Sequence, residues 1–489
     1  MLEKIDKLRK ELKRFYYGYY SVKADYLSGK KRDSLIRRVY KDFYELFTPE
    51  QIMWIHQPFE NLKLPKGNIN YLRTGLTIQY LEKRAIEEIT EIRYELDSKK
   101  HSPISFAESW FRVLTSLDKP VRDEAMGFIE KKLYSLIPLY EHLWANWYAV
   151  PSETNCRNLS EFMALHYGTN VEDAARIAEQ FLTATDDTYD HNLKKFFELN
   201  GATMNETNFA ELLYYSGNPH CHDNLPSGSG LKCLEQCLEE LKIEHLRKNL
   251  EILIPTEKEP LRGAPDDHVC PVLHSDLIRI ILFPTNGYDL YRRIFNSFGR
   301  AALCSAVDEE FPLEYIYMGD RAYERGYGYL FELLMDNEHF WKYYFHCKDI
   351  DNTIMLIKLS RLISLRYLCA LALFEHKLIR HPPTEPISNL AGSYQSLMKE
   401  ALHIDVPGSL FLFNRDIGMN AIQALRGFSF ASLFSQRMVA KYGNDWFRNK
   451  KAGYDIMELL ECGTQYPVND IIKDWGYTSL AIEPMFCIA

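Results

Sequence analysis

The stretch that decides the fold is IRIILFPTNGYDLYRRIFNSFGRAALCSA, residues 278–306. Its first six residues are rich in isoleucine and end in phenylalanine, a composition typical of a short strand. Pro284-Thr285-Asn286-Gly287 then indicates a turn, because glycine adopts positive φ without steric cost. From Tyr288 to Leu303, apolar residues recur at i, i+3, i+4 and i+7, which predicts a helix with one buried face.

A second helical pattern begins near Arg321 and continues to Leu334. Several short segments around the two predicted helices stand at characteristic distances from each other. They are Gly287-Tyr288-Asp289, Ile294 to Leu303, Phe311-Pro312-Leu313-Glu314, Met318-Gly319-Asp320 and Tyr327 to Glu332. Together they resemble the zinc-site region of gluzincin metallopeptidases of the thimet oligopeptidase and carboxypeptidase Taq type. The resemblance is diffuse elsewhere and extends over roughly residues 105–477.

The resemblance places the four zinc-site positions of this family on residues that cannot perform zinc chemistry. The two zinc-binding histidines correspond to Asn296 and Arg300, the catalytic glutamate to Ser297, and the third zinc ligand to Arg325. An H-E-x-x-H helix places two imidazoles on one metal and a carboxylate beside the metal-bound water. Asparagine is a poor zinc ligand, and a protonated guanidinium repels a dication. We therefore expect a degenerate member of the group, with no metal and no cofactor.

One further position argues against hydrolysis. A tyrosine that faces the substrate carbonyl in these enzymes corresponds here to Ala424, so the donor that would stabilise an oxyanion is absent. The resemblance also implies that the strand at 278–283 lines the cleft with its outer edge. The alternative is that a loop of this chain covers that edge.

The resemblance implies a mainly α protein, with a large helical metallopeptidase-like body, a central cleft and a small β element beside the degenerate motif helix. A break near Pro151 suggests an N-terminal helical lobe, residues 1–150. A metallopeptidase-like lobe, residues 151–489, would then contain the degenerate region 278–332 within one compact unit. In the first lobe, helices are predicted to about Leu27, over 34–47 and over 71–96.

Composition excludes several classes of function. A formal net charge of −9 over 489 residues argues against nucleic acid as the main partner. The charged amino terminus has no apolar segment typical of a signal peptide, and no apolar run reaches membrane-spanning length. These features predict a cytoplasmic protein with no membrane partner.

Two groups contain metal-binding residue types: His220-Cys221-His222-Asp223, and His268, Cys270 and His274. Adjacent residues rarely reach one ion in tetrahedral geometry, so we interpret the first group as a structural or exposed loop. The second group is looser still, and we interpret it in the same way.

Two hypotheses for function follow. The first is a pseudoenzyme that binds a peptide or small acidic metabolite in the former cleft, or a protein partner on its surface. The second is a repurposed metal-independent enzyme acting on an amino-acid-derived metabolite in a biosynthetic pathway. No nucleophile–base pair in the sequence supports a particular reaction, so catalytic residues stay unknown.

The candidate ligand-binding residues are Asn296, Ser297, Arg300, Arg325, Glu324 and Glu332. If Arg300 and Arg325 both face the former zinc position, two like charges there require an anion. The anion is either internal, from Glu324, Glu332 or Asp320, or a carboxylate or phosphate of a ligand.

Overall fold

The computed structural model describes residues 2–31, 33, 35–57, 67–100, 104–154, 156–167, 171–203, 207–217, 225, 229–255, 261–263, 265–274, 276–308, 310–346, 350–413, 420–477 and 479–480. Within these ranges the chain forms 21 α-helices and three short β-strands. The predicted fold class, a large helical body with a small β element, is confirmed. None of the described helices has both the length and the apolar character needed to cross a membrane.

The helices of the amino-terminal part are α1 (Leu2–Leu27), α2 (Ile36–Asp42), α3 (Pro49–Ile55), α4 (Ile69–Arg84), α5 (Ile86–Asp97), α6 (Phe106–Thr115), α7 (Lys119–Ser135) and α8 (Ile137–Glu153). They are followed by α9 (Leu159–Tyr167), α10 (Val171–Leu199), α11 (Phe209–Gly217), α12 (Gly230–Leu241), α13 (Gly287–Ala306), α14 (Glu314–Tyr317) and α15 (Arg321–Glu332). The last are α16 (Glu338–Tyr344), α17 (Ile350–Ile379), α18 (Leu390–Leu402), α19 (Asn420–Tyr442), α20 (Lys450–Leu460) and α21 (Val468–Asp474). The strands are β1 (Leu250–Leu253), β2 (His268–Pro271) and β3 (Ile278–Ile281).

The single helix predicted over residues 71–96 is wrong. The chain forms α4 and α5 instead, and the backbone leaves helical geometry at Ala85, with φ −91° and ψ 5°. Ala85 still donates its N–H to Leu81 and accepts from Ile89, so hydrogen bonding continues across the break. Because both helices bury apolar residues, the apolar pattern continues through the junction and gives no indication of the break. The helix predicted over 34–47 is likewise α2 followed by a 3₁₀ turn, Tyr44–Phe47.

The lobe boundary predicted near residue 150 falls inside a helix. Pro151 lies in the last turn of α8. One apolar core contains residues from both sides of this point, from Ile78 to Leu480. The division into two lobes stays a prediction.

The predicted strand at 278–283 forms as β3, but its position in the sheet contradicts the expectation for its edge. The strand order is β1-β3-β2, with β1 parallel and β2 antiparallel to β3. Both edges of β3 are therefore hydrogen-bonded to neighbours, and neither can line a cleft as an unpaired edge. The edge strands are β1 and β2, each only four residues long.

Helix α13 begins where the turn was predicted. Asn286 is extended and Gly287 has φ +53°, a left-handed conformation that glycine adopts without strain. The helix packs on α15 through Gly299, where an added Cβ would lie 2.2 Å from the Tyr327 carbonyl oxygen. On the facing helix, a Cβ at Gly328 would lie 2.9 Å from Cγ of Arg300. The two backbones can approach this closely only because both positions lack a side chain.

Helix α15 meets α19 in the same way on its other side. A Cβ at Gly427 would lie 2.8 Å from the Ala322 carbonyl oxygen and 2.7 Å from Cβ of Arg325. A Cβ at Gly326 would lie 2.5 Å from the Phe430 ring. Helix α15 is thus held between α13 and α19 by glycine contacts on two faces.

These contacts predict opposite effects for two glycine substitutions. Gly299→Ala should lower the free energy of unfolding by about 1–3 kcal/mol, since the new methyl group overlaps backbone that is fixed by helix packing. Gly127→Ala in α7 is the matched control, because an added Cβ there meets nothing within 4 Å. It should be neutral or stabilise by about 0.5–1 kcal/mol. Urea unfolding measures both, and equal stability of the two variants would contradict the packing described.

Candidate functional site

The structure brings the predicted site residues of α13 and α15 together as two separate pairs. Arg300 donates from Nε to Oε1 of Glu324 at 2.8 Å and from Nη1 to the Asp267 carbonyl oxygen at 3.2 Å. Asn296 donates from Nδ2 to Oε2 of Glu332 at 2.6 Å. The sequence left open whether an internal carboxylate or a ligand provides the anion. Arg300 binds an internal carboxylate.

Glu332 is also the centre of a buried charge network. Its other oxygen, Oε1, accepts from Nη1 of Arg361 at 2.5 Å and from Nη1 of Arg292 at 3.1 Å. Burial would raise the pKa of Glu332, but the charges of Arg361 and Arg292 outweigh this and lower the pKa below its ordinary value. Glu332 is therefore an ionised and fully occupied acceptor.

Further ion pairs extend this network beyond Arg361 and beyond Arg292. Arg361 also binds Asp336 through Nε and Nη2, at 2.7 and 3.1 Å. Asp289 accepts from Arg292 and Arg293, each at 2.7 Å. The ion pairs connect α17, α15 and α13, and the side chains of their three carboxylates and of Arg361 are at most 5% exposed, so these residues have a structural role.

Asp320 is occupied as well. It accepts from Arg426 at 2.9 and 3.0 Å, and it caps α15 by accepting from the backbone N–H of Ala322 at 3.0 Å. Neither Asp320 nor Glu332 is available to neutralise Arg325.

Arg325 differs from the other arginines of the site. Its guanidinium forms no hydrogen bond and no ion pair within the part of the chain that the structure describes. Burial lowers the pKa of Arg325, and the charge of Arg300 lowers it further. The side chain still keeps partial access to solvent. A guanidinium stays protonated at neutral pH despite such a shift, so a cation without a bound carboxylate lies at this position.

Two more side chains stand close to Arg325. Tyr329 lies one helical turn further along α15, and its hydroxyl has no hydrogen-bond partner among the described residues. Burial raises the pKa of Tyr329, and Glu332 raises it further, so the hydroxyl stays a donor. His268, the first residue of β2, is affected by the charges of both Arg300 and Arg325.

Burial, followed by these and other positive charges, lowers the pKa of His268 well below its ordinary value, so its imidazole is neutral at pH 7. We call the set Arg300, Arg325, Tyr329 and His268 the basic recess. All four are partly exposed, and burial is the first cause of the pKa shift of each. The i, i+4 spacing of Arg325 and Tyr329 was visible in the sequence, but the proximity of His268 was not.

Other residues considered from sequence lie elsewhere. Ser297 is completely buried, and its Oγ has no hydrogen-bond partner in the described structure. A residue without solvent exposure does not line the recess. Ala424 is a buried residue of α19, and His274 is buried in a turn with φ +48°. The group His220-Cys221-His222-Asp223 lies outside the described residues.

The residues present do not fit a zinc ion. The donor set at the four positions that the resemblance aligns with the zinc site is an amide, a buried hydroxyl and two guanidiniums, and both guanidiniums are cationic. Among the described residues, no group of three His, Cys, Asp or Glu side chains is arranged to hold a metal ion. The set consisting of His268, Cys270 and His274 is therefore not a metal site in this arrangement.

A separate concavity of about 730 Å³ lies between α8, α9 and the end of α17, and no motif residue lines it. Its charged side chains are already paired, Arg157 with Glu161 at 3.1 Å and Arg380 with Glu172. We therefore take the basic recess, which contains residues of the two motif helices, as the candidate site.

Comparison with solved structures agrees with this architecture. The chain aligns with a putative oligoendopeptidase F from Bacillus anthracis strain Ames at a TM-score of 0.65 and 13% identity, covering 95% of this chain and 83% of that one. A second putative oligoendopeptidase F gives 0.67 and 14%, covering 95% and 84%. PZ peptidase A, solved with an inhibitor, gives 0.66 and 13%, covering 96% and 86%.

The chain has the fold of these oligopeptidases. The likeness covers nearly all of it, so the fold proposed from the resemblance at residues 278–332 is correct. No protein-family model matches the sequence, and no curated protein matches it significantly.

The buried network predicts a large effect of Asp289→Asn. Asp289 is 3% exposed, and its loss as an anion leaves Arg292 and Arg293 without a carboxylate between them. Breaking a buried pair in this way typically costs about 3–5 kcal/mol. Asp405→Asn is the control, because this side chain is 84% exposed in its ion pair with Lys399 and should have little effect.

The same variant has a predictable pH dependence. Burial would raise the pKa of Asp289, but Arg293 and Arg292 lower it to about 2. The stability that the carboxylate contributes is present above its ordinary pKa of about 4 and is lost as the pH falls towards the folded-state value. The difference between wild type and variant in urea unfolding should therefore shrink below about pH 4. A constant difference down to pH 2 would contradict the ionised state described.

Proposed function

We propose that this protein has the oligopeptidase fold without zinc-peptidase chemistry, and that it binds an acidic peptide or a small acidic ligand in the basic recess. The observation that carries the proposal is Arg325, a partly exposed guanidinium that has no ion-paired carboxylate among the described residues, at the position of a metal ligand in the family that the sequence resembles. Its planar fork suits bidentate binding of a carboxylate or phosphate.

The surroundings of Arg325 support an anion rather than a cation as the ligand. Arg300 contributes a second positive charge, which Glu324 only partly balances because that carboxylate is 32% exposed to solvent. Tyr329 offers a hydroxyl donor beside the guanidinium, and a neutral imidazole at His268 offers either a donor or an acceptor. These groups match the oxygen atoms of a carboxylate.

The alternative of a repurposed metal-independent enzyme has no comparable support. Its nucleophile would need an adjacent base, but the hydroxyl of Ser297 is sealed from solvent. Burial raises the pKa of the Cys270 thiol to about 11 and of Cys304 to about 12, so neither is a thiolate at neutral pH. Binding is therefore the function that we infer.

Two single substitutions separate ligand binding from structural pairing. Arg325→Ala should leave stability unchanged or raise it, since no partner is lost, and should abolish the salt-sensitive binding of acidic peptides. Arg300→Ala should lower the melting temperature, because Glu324 and the Asp267 carbonyl oxygen lose their donor. Arg157→Ala, at an 86% exposed side chain, changes the net charge equally and is the control.

Thermal melts and fluorescence titrations with a library of short acidic peptides measure both effects. Undiminished peptide binding by Arg325→Ala would contradict the proposal. A loss of stability in Arg325→Ala similar to that of Arg300→Ala would show that Arg325 has an internal role instead.

The proposal also predicts that the purified protein contains no stoichiometric zinc. A bound structural zinc contributes to the folding free energy, so its removal lowers a melting temperature. Elemental analysis should give well under one zinc per chain, and a chelator should leave the melt unchanged. One equivalent of zinc with a chelator-sensitive melt would contradict the alignment of Asn296, Arg300 and Arg325 with zinc ligands.

A further inference from the structure

A carboxylate lies beside the basic recess, one residue before Arg325 in α15. The side chain of Glu324 is 32% exposed, and its Oε1 accepts from Nε of Arg300 at 2.8 Å. The other oxygen, Oε2, forms no hydrogen bond within the described part of the chain and is not shielded from solvent. Glu324 therefore presents one open acceptor, although its other oxygen is already bound.

The packing of α13 and α19 on α15 explains why this carboxylate pairs with Arg300 and not with Arg325. A Cβ at Gly328 would lie 2.9 Å from Cγ of Arg300, so the stem of Arg300 crosses α15 one helical turn after Glu324. Arg325 leaves α15 beside α19, since a Cβ at Gly427 would lie 2.7 Å from its Cβ. The guanidinium of Arg300 thus holds Glu324 in place, and that of Arg325 forms no ion pair among the described residues.

Arg325 and Tyr329 present open donors next to this acceptor. Neither side chain forms a hydrogen bond within the described ranges, and none of their polar atoms is shielded from solvent. The Cα atoms of Glu324 and Arg325, as neighbours in the chain, are about 3.8 Å apart. An open carboxylate oxygen and open guanidinium nitrogens therefore reach solvent from one short stretch of α15.

Both charges are present at neutral pH. Burial would raise the pKa of Glu324, but Arg300 and then Arg325 lower it below its ordinary value. Arg325 stays protonated, as a guanidinium does in proteins. Asp266 is a further exposed carboxylate, and its charge also acts on Arg325. The recess therefore offers groups that suit a cation as well as groups that suit an anion.

We propose that the ligand of the basic recess is zwitterionic, with a carboxylate held by Arg325 and Tyr329 and a protonated amine held by Oε2 of Glu324. This inference rests on the proposed function and adds the class of ligand. An acidic amino acid has this chemistry, and so does the amino-terminal residue of a peptide that begins with an acidic side chain. In both, a carboxylate and an ammonium are only a few bonds apart.

A ligand with only one kind of charge fits this arrangement less well. The second carboxylate of a dicarboxylate would approach the open oxygen of Glu324, and like charges repel at such distances. A ligand with only an ammonium would leave Arg325 without an anion. His268, which is neutral at pH 7, adds no charge that would repel the ammonium.

Calorimetric titration of the full-length protein at low salt tests the inference. The probes form two pairs that differ only in the ammonium group: L-glutamate against glutarate, and the peptide Glu-Ala-Ala with a free against an acetylated amino terminus. The proteins are wild type, Arg325→Ala, Glu324→Gln and Glu400→Gln, an exposed position on α18 that serves as control. The amide of Glu324→Gln still accepts from Arg300. If this variant does not fold, Glu324→Asp withdraws the carboxylate by one methylene and should weaken the same preference.

Wild type should bind the ammonium-bearing member of at least one pair about tenfold or more tightly, as expected for one additional charge-assisted contact. Glu324→Gln should lose this preference and bind glutarate at least as tightly as wild type, because a repelling charge is removed. Glu400→Gln should keep the preference, and Arg325→Ala should lose binding of all four probes. The preferred pair then distinguishes a free amino acid from a peptide as the source of the two groups.

The outcomes separate this inference from the proposed function. Equal binding of both members of each pair by wild type, or an unchanged preference in Glu324→Gln, would overturn the zwitterionic ligand. If Arg325→Ala still abolishes binding in that case, the proposed function stays intact. Failure of wild type to bind any probe at about 10 mM would overturn both.

Discussion

The close contact of three helices, made possible by glycine, is the constraint on which the rest of this structure depends. Gly299 and Gly328 bring the backbones of α13 and α15 together, and Gly326 and Gly427 do the same for α15 and α19. With α15 held from both sides, the direction of each of its side chains is fixed. Glu332 points into the buried network, whereas Arg325 and Tyr329 face the recess. This geometry therefore determines which charged side chains are paired within the protein and which can bind a ligand.

The arginines show how similar side chains acquire different roles. Arg292 and Arg361 each bind Glu332 on a neighbouring helix, Arg293 binds Asp289 on its own helix, and their charges contribute to a continuous network. Arg300 is intermediate, since it binds Glu324 but remains close to Arg325. Arg325 has no ion-paired carboxylate in the described part of the chain, and a desolvated cation of this kind is costly unless a ligand provides the anion. A scaffold shared with oligopeptidases is thus compatible with a different ligand chemistry at its centre.

Sequence reasoning was most accurate where the signal was local. The turn at 284–287 and the helix after it were predicted because glycine conformation and apolar periodicity depend on neighbouring residues. The central position of β3 was not predicted, because β1 and β2 are four-residue strands whose pairing partners lie 7 to 28 residues away. The break at Ala85 left no trace in the apolar pattern.

We propose that Arg325, at the position of a metal ligand in the resembled family, binds an anion. Anomalous X-ray scattering from crystals soaked separately in bromide and in zinc can locate both kinds of ion. We expect a bromide peak within hydrogen-bonding distance of the Arg325 guanidinium and no zinc peak between α13 and α15. A zinc peak at Asn296, Arg300 and Arg325, without bromide there, would contradict it.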